Sequence, residues 1–187
     1  MSTLRVDNLN ARTGTTIAVP TGTHFYAPGG IVQVQSNTYT AYYSSTSHTG
    51  SGSSGINTPL TVSITPKSTN SKIFVLCNAM PAFYSGQATW LGRIVRTGSA
   101  TAYSPSTTNT YYSGWSAQAY IGTQGVAMLP TAVIQWIDTP GSLSATTYTL
   151  QIGGNNSGIA VGINGGDIYS YSAYGGISTI TVMEIGV

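Results

Sequence analysis

Polar and apolar residues alternate with a period of two along most of this 187-residue chain, the spacing of extended strands with one wet and one dry face. Leu60, Val62 and Ile64 fall on one side of such a strand, and Thr61, Ser63 and Thr65 on the other. Tyr148, Leu150 and Ile152 oppose Thr147, Thr149 and Gln151 in the same way, and Ile31 to Gln35 sets Val32 and Val34 against Gln33 and Gln35. Trp90 to Arg96 reads as a further amphipathic strand. Three stretches, Ile73 to Ala79, Val133 to Ile137 and much of Ile177 to Ile185, are apolar on both faces, as suits central strands of packed sheets or strands at a subunit contact. Gly, Pro, Ser or Thr interrupts every stretch that would have to be helical. Pro59, Pro66, Pro81, Pro105, Pro130 and Pro140 fall mostly at the edges of the apolar runs and mark turns. The pattern predicts an all-β protein, an antiparallel β-sandwich of about eight to ten strands, of jelly-roll kind.

Residues 1–30 differ from the rest. Leu4 and Val6, with Leu9 behind them, and then Ile17 and Val19, are short alternating sets separated by the turn-rich Asn8 to Thr15, and they end in Tyr26-Ala27-Pro28-Gly29-Gly30. That apolar surface is too small for an independent fold, because ordering each residue costs about 1–2 kcal/mol of backbone entropy. Three copies wound around one axis could bury these side chains against each other, giving a short extended N-terminal β stem; a disordered arm is the alternative. The predicted organisation is therefore an attachment arm or stem over 1–30 and a β-sandwich knob over 31–187.

Composition sharpens the picture. Only 5% of the residues are charged, against about 25% in typical soluble domains. The polar remainder is Thr, Ser, Asn, Gln, Gly and Tyr, which suits strands, turns and interfaces that are polar without charge. A surface that gives up electrostatic solubility points to self-assembly, and a homotrimer would close the set of strand edges. Net charge is +2, too little for the dense basic face that nucleic acid requires. The longest apolar runs break well short of the roughly 20 residues of a bilayer span, and Met1 to Asn10 lacks the apolar segment of a secretory leader. Cys77 is the single cysteine; inside an apolar run it reads as a buried reduced thiol.

Several stretches resemble structural proteins of tailed bacteriophages, marine and cyanobacterial ones especially. The opening Leu4-Arg5-Val6-Asp7-Asn8-Leu9, then Thr13-Gly14 and Ile17-Ala18-Val19-Pro20, is similar to their leader. Thr65-Pro66-Lys67-Ser68-Thr69-Asn70-Ser71-Lys72-Ile73, Ile137-Asp138-Thr139-Pro140, Ala145-Thr146-Thr147-Tyr148 and the closing Ser178 to Ile185 follow in the order of the C-terminal sandwich of tail-fibre and related virion surface proteins. Thr97 to Gly125 matches nothing in that pattern. The resemblance implies a homotrimer with an N-terminal attachment region and a C-terminal knob of jelly-roll shape, of tumour-necrosis-factor or C1q type. It also implies assembly in the host cytoplasm and display on the particle exterior.

A search for catalytic groups is short. His24 and His48 sit in Gly-, Ser- and Thr-rich stretches with no Cys, His or carboxylate close in sequence, so no metal site is expected. No Gly-x-Ser-x-Gly turn of the hydrolase type occurs. Asp7, Asp138, Asp167 and Glu184 are the whole carboxylate inventory. Asp138 and Asp167 lie beside Pro140 and Gly165-Gly166, where aspartate usually stabilises a turn. Glu184 could pair with Arg93 or Arg96, or face solvent. Neither an enzyme nor a cofactor is expected.

Binding is the stronger expectation. Tyr103, Tyr111, Tyr112, Trp115 and Tyr120 interleave with Ser, Thr, Asn and Gly. Aromatic faces stack on sugar rings while amides and hydroxyls bond their hydroxyl groups, so this mixture suits a shallow site for host surface polysaccharide. The same tyrosines could instead pack on the sandwich or between subunits. Two roles follow: a trimeric tail fibre or fibre tip held by residues 1–30 to a tail or baseplate adaptor, or a trimeric capsid decoration protein clamped on the major capsid protein.

Overall fold

The computed structural model describes residues 28–47, 55–83, 88–98, 100–105, 115–121, 131–155, 158–165 and 175–186. Leu4, Val6, Leu9, Ile17 and Val19, on which the stem rests, lie outside the described residues, as do Tyr111 and Tyr112. Twelve strands are formed among the described residues: β1 (Ile31–Tyr39), β2 (Tyr43–Ser45), β3 (Ile56–Ile64), β4 (Lys72–Ala79), β5 (Pro81–Phe83), β6 (Ala88–Thr97), β7 (Ala102–Tyr103), β8 (Ala117–Ile121), β9 (Ala132–Asp138), β10 (Thr146–Gly154), β11 (Val161–Ile163) and β12 (Ser178–Ile185). All their pairings are antiparallel.

Two sheets form the sandwich. One runs β1-β12-β4-β9; the other runs β3-β10-β6, with β7 and β8 both against the far edge of β6. From β3 onward the principal strands cross between sheets at each step, and the late strands β12 and β10 insert between early ones. That is the interleaving of Greek keys in a jelly roll. A small third sheet, β2-β11-β5, closes one end. There Asn164, in the left-handed region at φ 60°, donates from Nδ2 to the Tyr39 and Ala41 carbonyls and accepts from Ser178 Oγ at 2.6 Å.

The dry faces meet in one core. Leu60, Val62 and Ile64 of β3 and Tyr148, Leu150 and Ile152 of β10 pack towards Ile73, Val75 and Cys77 of β4 and Ile180 and Val182 of β12. Trp136 of β9 meets Tyr148 of β10 edge-on, with ring centroids 5.8 Å apart. The alternation of β3 and β10 predicts their faces correctly, because a strand that buries one side must keep its period of two, and β4, read as apolar on both faces, lies centrally between β12 and β9.

β1 departs from its predicted facing. An irregularity in register at Val32 lets Gln33 align with Glu184 and Val34 with Met183. Gln33 therefore turns inward and donates to Glu184 Oε2 at 2.5 Å, while Val34 turns outward and is 49% exposed. Pro59, expected at a strand edge, lies inside β3: that strand carries Thr58, Pro59 and Leu60 across from Leu150 alone. Proline is tolerated at such a bulge because the ladder bond it cannot donate is already interrupted. Thr58 Oγ1 repairs the gap by donating to the Leu150 carbonyl at 2.9 Å and accepting from Leu60 N–H. Val133 to Ile137, doubly apolar, belongs to an edge strand rather than a central one.

The charged groups of the core also differ from expectation. Asp138 stabilises no turn; it ends β9 with its carboxylate inside the sandwich, accepting from Arg96 Nη1 at 2.7 and 2.8 Å and from Tyr148 OH at 2.7 Å. Glu184 pairs with neither arginine. It is fully buried and accepts from Gln33 and from Lys67 N–H at 2.7 Å. Desolvation pushes its carboxyl up, but hydrogen bonds from Ser71, Gln33 and the backbone of Lys67 and Ser68 together outweigh it, and the net shift is downward.

Candidate functional site

The outer face of the β3-β10-β6-β7 sheet gathers what the sequence scattered. The registers of β10 with β3 and β6 place Ser63, Thr147 and Thr97 in one row, Thr61, Thr149 and Val95 in the next, and Asn57, Gln151 and Arg93 in a third. Neighbours in these rows bond each other: Ser63 Oγ and Thr147 Oγ1 at 2.7 Å, Thr61 Oγ1 and Thr149 Oγ1 at 2.9 Å, Gln151 Nε2 to Asn57 Oδ1 at 3.1 Å. Cross-strand Thr and Ser pairs of this kind favour the sheet while leaving lone pairs and hydroxyl protons for solvent or ligand.

Arg93 is the centre of the face. Its Nε donates to Gln151 Oε1 at 2.6 Å, and its guanidinium carbon lies 4.3 Å from the Tyr103 ring centroid and 4.6 Å from that of Trp115. Two aromatic faces on one cation offset part of the loss of hydration in a side chain that is 7% exposed. Burial lowers the guanidinium from its ordinary value, opposed by the neighbouring Tyr103.

The aromatic residues divide by role. Tyr103, paired with Val95 across β7 and β6, is 49% exposed and presents its ring at the rim of the hydroxyl rows. Trp115 is buried at 1%, contrary to its expected place in a surface site; its ring lies over Gly153 and Gly55, where an added Cβ would meet it at 2.8 and 2.6 Å. Absent side chains at these two positions make the slot for the indole, so Trp115 lies on the same outward side as Gln151 and Arg93 but is buried there. The backbone of Tyr120 pairs with Thr89. The segment carrying Tyr103 and that carrying Trp115 are both fastened to β6: Ser104 N–H donates to the Ile94 carbonyl, Ile94 N–H to Ser104 Oγ, and Ser116 N–H to the Gly92 carbonyl, each at 2.9 Å. Ser104 Oγ and Ser116 Oγ lie 2.6 Å apart.

Sequence reasoning missed Arg93, Gln151, Asn57 and the Thr and Ser rows as members of this face. Their signal was present in the wet side of the two alternating strands. The arrangement offers neutral hydroxyls and amides, one held cation and an exposed ring, and among the described residues no pair of carboxylates faces it. Among the described residues no group of three or more His, Cys, Asp or Glu could hold a metal ion, and no helix is long and apolar enough to cross a membrane.

No protein-family model matches the chain, and no curated protein matches it. Among solved structures, a chain in the structure of infectious bursal disease virus, Gx strain, is similar over 91% of this chain, with 12% identity and a TM-score of 0.35. This chain spans 46% of that one.

Proposed function

We propose that the protein is a non-enzymatic structural component of a tailed-phage virion, displayed as a homotrimeric fibre tip that contacts host surface polysaccharide through the Tyr103 face. The observation that carries this reading is the half-exposed Tyr103 ring, held by Arg93 beside rows of uncharged hydroxyl and amide groups. A pyranose offers an apolar C–H face to an aromatic ring and equatorial hydroxyls to its surroundings. Tyr103 takes the first, while Gln151, Asn57 and Thr61, which are exposed or half-buried, exchange hydrogen bonds with the second. Arg93, Val95 and Thr149 at the centre of the face are buried and only its rim is accessible, so single contacts are weak, and three copies on one knob bind by avidity. The low charge of the chain and its resemblance to phage fibre leaders support the virion setting. The arm over 1–30 supplies attachment to a tail or baseplate adaptor.

Binding of the purified full chain to capsular and lipopolysaccharide glycans tests the reading. Tyr103→Ala should lower the apparent affinity at least tenfold without changing the β-sheet circular dichroism spectrum, and Tyr103→Phe should keep most of it. Equal binding by wild type and Tyr103→Ala, or none by wild type, refutes it. Copies per particle separate this role from capsid decoration, which requires a stoichiometry close to that of the major capsid protein.

A further inference from the structure

Arg93, Gln151 and Asn57 lie in one row across β6, β10 and β3, and their chemistry leaves a single orientation for both amides. A guanidinium has only donors, so the atom of Gln151 that meets Arg93 Nε at 2.6 Å is the oxygen. The Gln151 nitrogen is thereby turned toward β3, where it donates at 3.1 Å, and the atom of Asn57 that receives it is again the oxygen. The Asn57 amide nitrogen is left turned away from Gln151, on an exposed side chain of an edge strand. Arg93 is buried against the rings of Tyr103 and Trp115, so the row is anchored at one end and open at the other. The acceptors beside the open end are engaged: Asn57 Oδ1 receives Gln151, and the Asn57 carbonyl receives Tyr43 OH at 3.2 Å.

We infer that Arg93 is a positioning residue which, through Gln151, fixes Asn57 as a hydrogen-bond donor to the ligand, and that the group receiving this bond is the carbonyl of an N-acetylated amino sugar. The inference rests on the glycan reading above and names the sugar class within it. A sugar hydroxyl brings a proton that needs an acceptor of its own, and the two acceptors nearest Asn57 Nδ2 are already engaged. An acetamido carbonyl is a strong acceptor that brings no proton. A uronate or phosphate also accepts, but its charge calls for an exposed cation. Among the described residues this face has none: Arg93 is buried, and Arg96 is buried against Asp138. Two strand spacings, about 10 Å, separate Asn57 from the Arg93 strand over which Tyr103 lies. The stacked sugar and the acetamido group therefore belong to different units of one polysaccharide. Without the row, an asparagine at a sheet edge turns over freely and presents donor and acceptor alike, and selecting one of the two weakens binding.

Titration of the full chain with oligomers of N-acetylglucosamine, N-acetylgalactosamine and glucose of equal length tests the assignment. Wild type should bind one of the acetylated oligomers at least tenfold more tightly than the glucose oligomer. Gln151→Glu keeps an acceptor for Arg93 and gains an ion pair with it, so its urea midpoint should hold or rise. Both of its oxygens accept, however, so Asn57 turns its nitrogen inward and its oxygen outward, and the preference for acetylated sugar should fall at least tenfold. A merely structural row would lose no preference in a variant of equal stability. Side-chain amide exchange, followed by nuclear magnetic resonance of the ¹⁵N-labelled chain, reads the row without any glycan. One Gln151 Nε2 proton should exchange slowly and both Asn57 Nδ2 protons fast in wild type, and one Asn57 proton should become slow in Gln151→Glu. Fast exchange of both Gln151 protons, or an unchanged preference in Gln151→Glu, overturns the positioning role. Equal affinity of wild type for acetylated and glucose oligomers overturns the acetamido assignment. With the row intact by exchange, binding of none of these oligomers and of no capsular or lipopolysaccharide glycan overturns the glycan reading itself.

Discussion

Replacing Asp138 by Asn should destabilise the protein by about 3–5 kcal/mol, the range found when one partner of a buried ion pair is removed. Arg96 and Asp138 have side chains 9% and 7% exposed and meet at 2.7 Å. They lie on β6 and β9, in opposite sheets, so the bond ties the two layers together. An asparagine of the same shape keeps one acceptor but places an amide N–H₂ where the second oxygen had accepted. It thereby opposes either the Arg96 Nη1 donor or the Tyr148 hydroxyl, and leaves the guanidinium charge without its counter-ion. Arg96 retains a bond from Nε to the Ala100 carbonyl at 3.1 Å, which is too little to offset an unpaired buried charge. Tyr148→Phe removes one hydrogen bond to a carboxylate and should destabilise by about 1.5–3 kcal/mol. The double variant Arg96→Met/Asp138→Leu should be less destabilised than Asp138→Asn, because it removes both charges together. Urea unfolding at fixed protein concentration and pH 7, followed by tryptophan fluorescence and far-ultraviolet circular dichroism, gives the three values. A loss below about 1 kcal/mol for Asp138→Asn, the magnitude of an exposed pair, would refute the assignment of this pair as a buried tie.

Other sites make separate predictions. Glu184 sits below its ordinary 4.5, so its ionised form contributes stability in full above about pH 4.5 and loses it as pH falls through the folded value. Glu184→Gln should therefore be less stable at pH 7 and show a flatter acid limb, measured as urea midpoints between pH 7 and 3; an acid limb as steep as wild type contradicts this. Burial pushes the Cys77 thiol up to about 12, so a thiol-reactive chromophore at pH 8 should label it only on unfolding; prompt stoichiometric labelling of native protein contradicts its place in the core. Gly153→Leu would drive its side chain into the Trp115 indole and should destabilise by at least about 1–3 kcal/mol, the range for overpacking. A shift in tryptophan emission should accompany it, and an unchanged spectrum and midpoint would show that the slot is not filled as described.

How far the sequence carries depends on whether a residue's role is set by its neighbours in the chain. The facing of β3 and β10 was readable because Leu60 to Ile64 and Tyr148 to Ile152 alternate without interruption, and the wet rows of the candidate site came with them. Facing failed in β1, where one additional residue at Val32 reverses every following side chain, a change no alternation count can foresee. The buried ties were also beyond local reading. Arg96 and Asp138 are 42 residues apart, and Gln33 and Glu184 are 151 apart, so only the strand order brings them together. Trp115 illustrates the same limit. Its immediate neighbours in sequence are small and polar, as for a surface aromatic, yet Gly55, just ahead of β3, and Gly153 of β10 make a slot for it.

The account rests most directly on the Tyr103 rim of the β3-β10-β6-β7 sheet as the surface that meets polysaccharide. Hydroxyl-radical footprinting of the full chain, with and without a capsular or lipopolysaccharide glycan, measures that surface and the opposite sheet at once. The account predicts that Tyr103 oxidises several-fold more slowly with the glycan present, while Met183 and Phe74 of the other sheet react at the same rate in both. Equal rates at Tyr103 with a glycan that the protein binds, or protection confined to Met183 and Phe74, would contradict it.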